Sequence, residues 1–131
     1  MSAPSVRTHA AAVVDVLDGA GVNVGDAKAP EGSLPYAVVY DIPGPPLTGT
    51  LEEPNEDGEL VYQVTCVGST AEQARWLCDK VITTLLAGLT VTGRRIALVS
   101  TDNTPGVLRD DDINPPVFFA TPRFRLKTTP G

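Results

Sequence analysis

The stretch that decides the fold runs from Leu60 to Leu86, LVYQVTCVGSTAEQARWLCDKVITTLL. Its first part alternates. Leu60, Tyr62, Val64 and Cys66 share one face of an extended chain, in which successive side chains point to opposite sides, so a strand is predicted over 59–67. Beyond it the period lengthens. Ala74, Leu77, Cys78, Val81, Ile82, Leu85 and Leu86 recur at helical spacing as one apolar stripe. At the junction, Ser69 with Glu72, or Thr70 with Gln73, has the spacing of a capping box, and Gly88 supplies the stop. A strand and a helix with one apolar face each must bury those faces in a second layer. Leu77, Val81 and Leu85 are therefore expected to pack against a sheet.

Working outward, a first helix is predicted from Pro4 to Leu17, with Ser2 as cap and Gly19 and Gly21 as stop. Val6, Ala10, Val13, Val14 and Leu17 form its apolar stripe, and His9 lies beside the stripe as a boundary or surface residue. A short extended piece follows at 22–24. From Leu34 to Ile42, Tyr36, Val38 and Tyr40 alternate with Ala37, Val39 and Asp41, and the apolar character of both faces suggests a central strand. With the 59–67 strand it flanks a loop at 43–58, which makes an antiparallel hairpin the simplest connection. After the second helix come a short strand at 89–92, a turn at Gly93, a strand at 95–100 and a loop at 101–116. A final strand is predicted over 117–127. Phe118, Ala120, Phe124 and Leu126 share one of its faces, and Arg123, Arg125 and Lys127 the other. Pro122 has no N–H for a ladder, which suggests a sheet edge there. The order of elements implies a single α+β domain over 1–131, two helices packed on an antiparallel or mixed sheet.

Composition bounds the function. The chain has 131 residues, 42% of them hydrophobic, with 12 Pro, 2 Cys and a net charge of −6. This suits one domain with a core and argues against a nucleic-acid coating protein. No signal peptide is expected from the first residues, and the uncharged run at 81–93 is too short for a membrane helix. No proline falls between 55 and 104, whereas Pro43, Pro45, Pro46 and Pro54 crowd one loop and Pro105, Pro115 and Pro116 the other.

Catalytic patterns are not found. Gly19, Gly21 and Gly25 miss the dinucleotide spacing and follow a helix instead of a strand. His9 is the only histidine, so any Ser-His or Cys-His chemistry would depend on it. Cys66 and Cys78 fall on core faces and read as buried free thiols, with too few soft ligands for zinc. Asp110, Asp111 and Asp112 lack the alternating spacing of a calcium loop. The expectation is a protein that is not an enzyme and takes no cofactor or metal.

Charge is divided along the chain. Residues 1–74 hold 11 acids against 2 bases, and residues 75–131 hold 8 bases against 5 acids. The first loop and its borders hold an acidic run, Asp41, Glu52, Glu53, Glu56, Asp57 and Glu59, without a compensating base, and Arg109 with Asp110, Asp111 and Asp112 sits in the second loop. Such a division serves solubility, or it serves a head-to-tail contact in which the acidic region of one copy meets the basic strand of the next.

The segment from Leu60 to Leu86, together with RDDDINPPVFFATPRFRL from Arg109 to Leu126, resembles the tail terminator proteins of long-tailed bacteriophages, in the form found in phages of actinobacteria. The resemblance extends over nearly the whole chain in element order. It implies a lambda-type tail terminator fold and a hexameric ring on the head-proximal end of the tail tube. It further implies that the ring stops tube polymerisation and offers a surface to the head–tail connector or stopper protein, in a virion assembled in the host cytoplasm. The partners implied are further copies of the chain, the major tail tube protein and the connector, with phage DNA passing through the ring and no membrane. The family carries no catalytic residues. Candidate contacts are therefore Glu52, Glu53, Glu56, Asp57, Arg109, Asp110, Asp111, Asp112, Arg123, Arg125 and Lys127. Two alternatives are a head-completion or stopper protein, and a small ligand-binding regulatory domain with Trp76, Tyr36, Tyr40 and Tyr62 lining a pocket.

Overall fold

The computed structural model describes residues 5–43 and 58–130. Their order is α1 (Val6–Gly19), β1 (Val24–Asp26), β2 (Tyr36–Ile42), β3 (Gly58–Gly68), α2 (Ala71–Leu86), β4 (Arg94–Thr101), β5 (Leu108–Asp110), β6 (Val117–Ala120) and β7 (Arg123–Pro130). All seven strands belong to one sheet. β2 and β3 pair antiparallel along their length, from Tyr36 opposite Val67 to Ile42 opposite Val61. β1 joins β2 in parallel, which makes the sheet mixed. On its other edge β3 pairs with β7 over Gly58–Gln63 and with β6 over Cys66–Gly68. β4 lies outside β7, and β5 outside β6. The fold is α+β, with both helices packed on the sheet.

Local chemistry explains the two helices. Thr70 caps α2, its hydroxyl oxygen accepting from the Gln73 N–H at 3.0 Å, and the Gln73 side-chain Oε1 accepts from the Ser69 N–H at 2.7 Å. Of the two candidate pairs, Thr70 with Gln73 is the one that caps the helix, with the return bond from Gln73 reaching Ser69, one residue before the cap. Gly88 follows the C-cap Ala87 at φ +103°, a conformation costly for any side chain with a Cβ. Ala74, Leu77, Cys78, Val81 and Leu85 are buried. They meet Leu60, Tyr62, Val64 and Cys66 of β3 and Phe124 and Leu126 of β7 in one core, so each alternation found in the sequence has its apolar face inward.

Several expectations need correction. α1 begins one turn's fraction later than expected, with Ser5 as its cap; Ser2 lies outside the described residues. Its buried residues are His9, Ala10, Val13 and Leu17, while Val6 is exposed. Residues 89–92 form no strand. They are enclosed between the turn glycines Gly88 and Gly93 and run beside α1, where they wall a cleft of about 500 Å3 with Thr8, Ala12 and Val16. The loop at 101–116 contains β5, a short edge strand held by β6. The last strand divides into β6 and β7, and neither lies at an edge, because β7 stands between β3 and β4. Pro122 is tolerated because it falls in the gap between them, where its carbonyl accepts from the Val64 N–H at 3.0 Å.

His9 is fully buried, contrary to the boundary position expected. Nδ1 lies 2.7 Å from the Ser5 carbonyl and so must donate to it. Nε2 then accepts from the Thr128 hydroxyl at 2.9 Å, and Thr128 itself accepts from Arg94 Nε at 3.1 Å. The chain of bonds fits a neutral imidazole and ties α1 to β7 and β4. Burial lowers the His9 pKa from 6.5, opposed by the Ser5 carbonyl and assisted by the nearby Arg94 cation. A base with a depressed native pKa binds its proton first in the unfolded chain. Stability from His9 is therefore complete above about 6.5 and declines as pH falls toward the lower native value. Denaturant titrations between pH 7 and 5 should show stability falling by up to about 1.4 kcal/mol per pH unit beyond the carboxylate background. His9→Gln should abolish that increment, and an unchanged slope would show that His9 titrates alike in both states.

Candidate functional site

Strand alternation gives the sheet a second face, directed away from the helices. Tyr36, Val38 and Tyr40 of β2 lie on it, with Val61, Gln63 and Thr65 of β3 and Arg123, Arg125 and Lys127 of β7. The three cations share a face, as their spacing predicted. Cross-strand register decides their partners. Glu59 is directly opposite Lys127 and diagonal to Arg125, and Gln63 is directly opposite Arg123, positions from which side chains on one face meet.

Arg125 is the centre of this group. Its Nη1 donates to Glu59 Oε2 at 2.9 Å, and its Nη2 lies 3.3 and 3.4 Å from the two Asp102 oxygens. The Glu59 hydrogen bond first, and the Asp102 charge second, raise the Arg125 pKa further above its ordinary value. Lys127 Nζ stands 3.6 Å from Glu59 Oε1. Arg123 has a neutral partner instead, donating from Nε to Gln63 Oε1 at 3.1 Å. Residues just after β4 are latched to the start of β7: Asp102 N–H donates to the Arg123 carbonyl at 2.8 Å, and Asn103 Oδ1 accepts from Arg123 N–H at 2.8 Å. The group is a partly exposed ionic network with three cations and two carboxylates. Chemically it can fix register and present positive charge; it holds no nucleophile with a base.

The other candidates lie elsewhere. Arg109 is in β5 and pairs with Asp111 in the following turn, with its guanidinium 5.9 Å from the centre of the Phe118 ring. Asp110 accepts from the Asp112 N–H at 3.0 Å and so closes the turn. Because Asp110 registers with Val117 and Arg123 with Gln63, Arg109–Asp112 and Arg123–Lys127 are two separate groups. Glu52, Glu53, Glu56 and Asp57 lie outside the described residues. Glu59, Asp102, Gln63 and Asn103 were missed as partners of the basic strand. Only Glu59 carried a signal, as the last acid of the acidic run, and its pairing depends on a register that no local pattern reveals.

The four aromatic residues considered for a ligand pocket do not line one. Tyr62 is buried on the helix-facing side of β3, whereas Tyr36 and Tyr40 point to the opposite face. Trp76 is 54% exposed on α2, with Lys80 Nζ 5.3 Å from its ring centre. Among the described residues no group of three His, Cys, Asp or Glu side chains gathers as a metal site, and no helix is long and apolar enough to cross a membrane.

The network yields a double-mutant prediction. Glu59→Gln and Arg125→Met should together destabilise the fold by less than the sum of their separate effects. That coupling should shrink when salt rises from 0.1 to 1 M, as the screening length falls from about 10 to about 3 Å. Strict additivity at both salt concentrations would show that the pair contributes nothing to folding.

Comparison with known proteins completes the description: no model of a protein family matches the chain, and no curated protein matches it.

Proposed function

We propose that this chain is a structural virion protein that closes the head-proximal end of a bacteriophage tail tube as a ring, ends tube polymerisation and offers the surface for head joining. The observation that carries the reading is the pattern of the two segments that resemble tail terminators, Leu60–Leu86 and Arg109–Leu126. Their adjacency adds support. The first segment contributes most of β3 and all of α2, the second contributes β6 and the start of β7, and both of those strands pair with β3.

The separation of charge supports a ring of identical, head-to-tail subunits, for which six copies are proposed. Arg125 is engaged within its own chain by Glu59 and Asp102. Arg123, which meets only a neutral amide among the described residues, is therefore the better candidate to hold a carboxylate of the next subunit, with Glu52, Glu53, Glu56 and Asp57 as the proposed counter-charges. Arg suits that task because its planar fork grips a carboxylate with two hydrogen bonds. Arg109 and Asp110–Asp112, on a separate part of the sheet, are the proposed contact for the tube or the connector. Exposed ion pairs are individually weak, so the ring should loosen as salt rises.

Negative-stain microscopy of the purified protein, alone and mixed with tail tubes, tests the reading. Rings at one end of each tube are expected, in numbers that fall at high salt. Arg123→Glu should leave the thermal midpoint near that of the wild type and remove the rings. Protein that ignores tube ends and binds head connectors instead would make it a head-completion protein. A monomer that binds neither would overturn the virion reading altogether.

A further inference from the structure

The two cysteines, far apart in kind of element, are brought together by an unusually close approach of α2 to β3. A Cβ added to Gly68 would stand 2.7 Å from the Ala74 backbone nitrogen, so helix and strand backbones are nearly in contact there. Cys66 precedes Gly68 by two residues on the same strand face, and Cys78 follows Ala74 by four on the same helix face. Each cysteine is thus the next residue of its own face beyond the Gly68–Ala74 contact. Ala120, opposite Cys66 in the ladder, lines one cleft with Cys78. Cys66 donates its S–H to the Val64 carbonyl at 3.7 Å, and both thiols belong to the same buried core cluster. Disulfides need Cα atoms within about 7 Å, and helix–sheet packing through large side chains holds backbones farther apart. Gly68, Ala74 and Ala120 are the small residues that remove that obstacle.

We propose that Cys66 and Cys78 are an oxidisable pair, which a hydroperoxide converts into a disulfide tying α2 to β3. Access is through Cys78. It borders a cleft of about 520 Å3 walled by Arg75, Ile82 and residues 104–107, wide enough for a small peroxide, whereas Cys66 is fully enclosed. Access divides the roles: Cys78 borders the cleft and Cys66 does not, so Cys78 is the attacking thiolate. The neighbouring Cys66 thiol lowers its pKa, while Cys78 and burial raise that of Cys66. Its sulfur bonds to one peroxide oxygen, the O–O bond breaks, and the departing hydroxide takes a proton and leaves as water. Cys66 sulfur then attacks the Cys78 sulfenic acid; the S–S bond forms, the S–O bond breaks, and a second water leaves with the Cys66 proton. Two thiols are oxidised by two electrons, and one hydrogen peroxide is reduced to two waters.

Purified full-length protein is treated with hydrogen peroxide and measured by intact mass and peptide mapping without reductant. The expected result is a monomer lighter by two hydrogens, with the peptides bearing Cys66 and Cys78 linked. Dithiothreitol should restore the original mass. The thermal midpoint should rise on oxidation, since the link shortens the free chain of the unfolded state. Cys66→Ala should give no link and leave a sulfenic acid at Cys78 that dimedone traps. The wild-type mapping stands alone if that variant fails to fold. Wild type that stays reduced, stops at sulfinic acid on Cys78, or links two chains overturns the proposal.

Discussion

β3 is hydrogen-bonded on both edges, to β2 along one and to β7 and then β6 along the other. Every other part of the fold is positioned by this double pairing. It fixes which residues of β2 and β7 face the helices, because a shift of one residue would turn each apolar set outward. It also supplies the platform for α2, which leaves β3 through the two-residue junction at Ser69 and Thr70 and folds back over it. The close passage at Gly68 is the price of so short a junction, and only a residue without a Cβ fits there.

The same pairing organises the polar face. Glu59 and Gln63 sit on one face of β3 four residues apart, and β7 aligns Lys127 and Arg123 opposite them with Arg125 between. The ionic network is thus a consequence of core register read on the other side of the sheet. On the helix-facing side of β7, one residue beyond Lys127, Thr128 joins α1 to the sheet through a buried hydrogen bond with His9. The N-terminal helix is consequently attached to the sheet by specific polar geometry as well as by the apolar contacts of Val13 and Leu17.

β3 and α2 were legible in the sequence because their signals are local: an alternation, a capping box and a helical stripe within Leu60–Leu86. The hairpin of β2 and β3 was legible for the same reason. What escaped depends on non-local pairing. Nothing near Pro122 shows that β3 continues on both sides of the break, so a gap between two interior strands looked like an edge. Nothing near Leu108 shows that β6 accepts it as an outer neighbour. His9 was misjudged because the stripe was centred on Val6 and Ala10; the spacing His9, Val13, Leu17 was the signal that places it inward. Of the candidate contacts, the shared direction of Arg123, Arg125 and Lys127 followed from alternation, but their intramolecular partners did not.

If β3 is the element on which the rest depends, its amides should open only with the whole molecule. Native-state hydrogen exchange measures this directly. The account predicts the slowest exchange in β3 between Val61 and Cys66, at the free energy of global unfolding, with β4 and β5 opening earlier from the outer edge. Exchange in that stretch faster than in α2, or as fast as in β4, would contradict it.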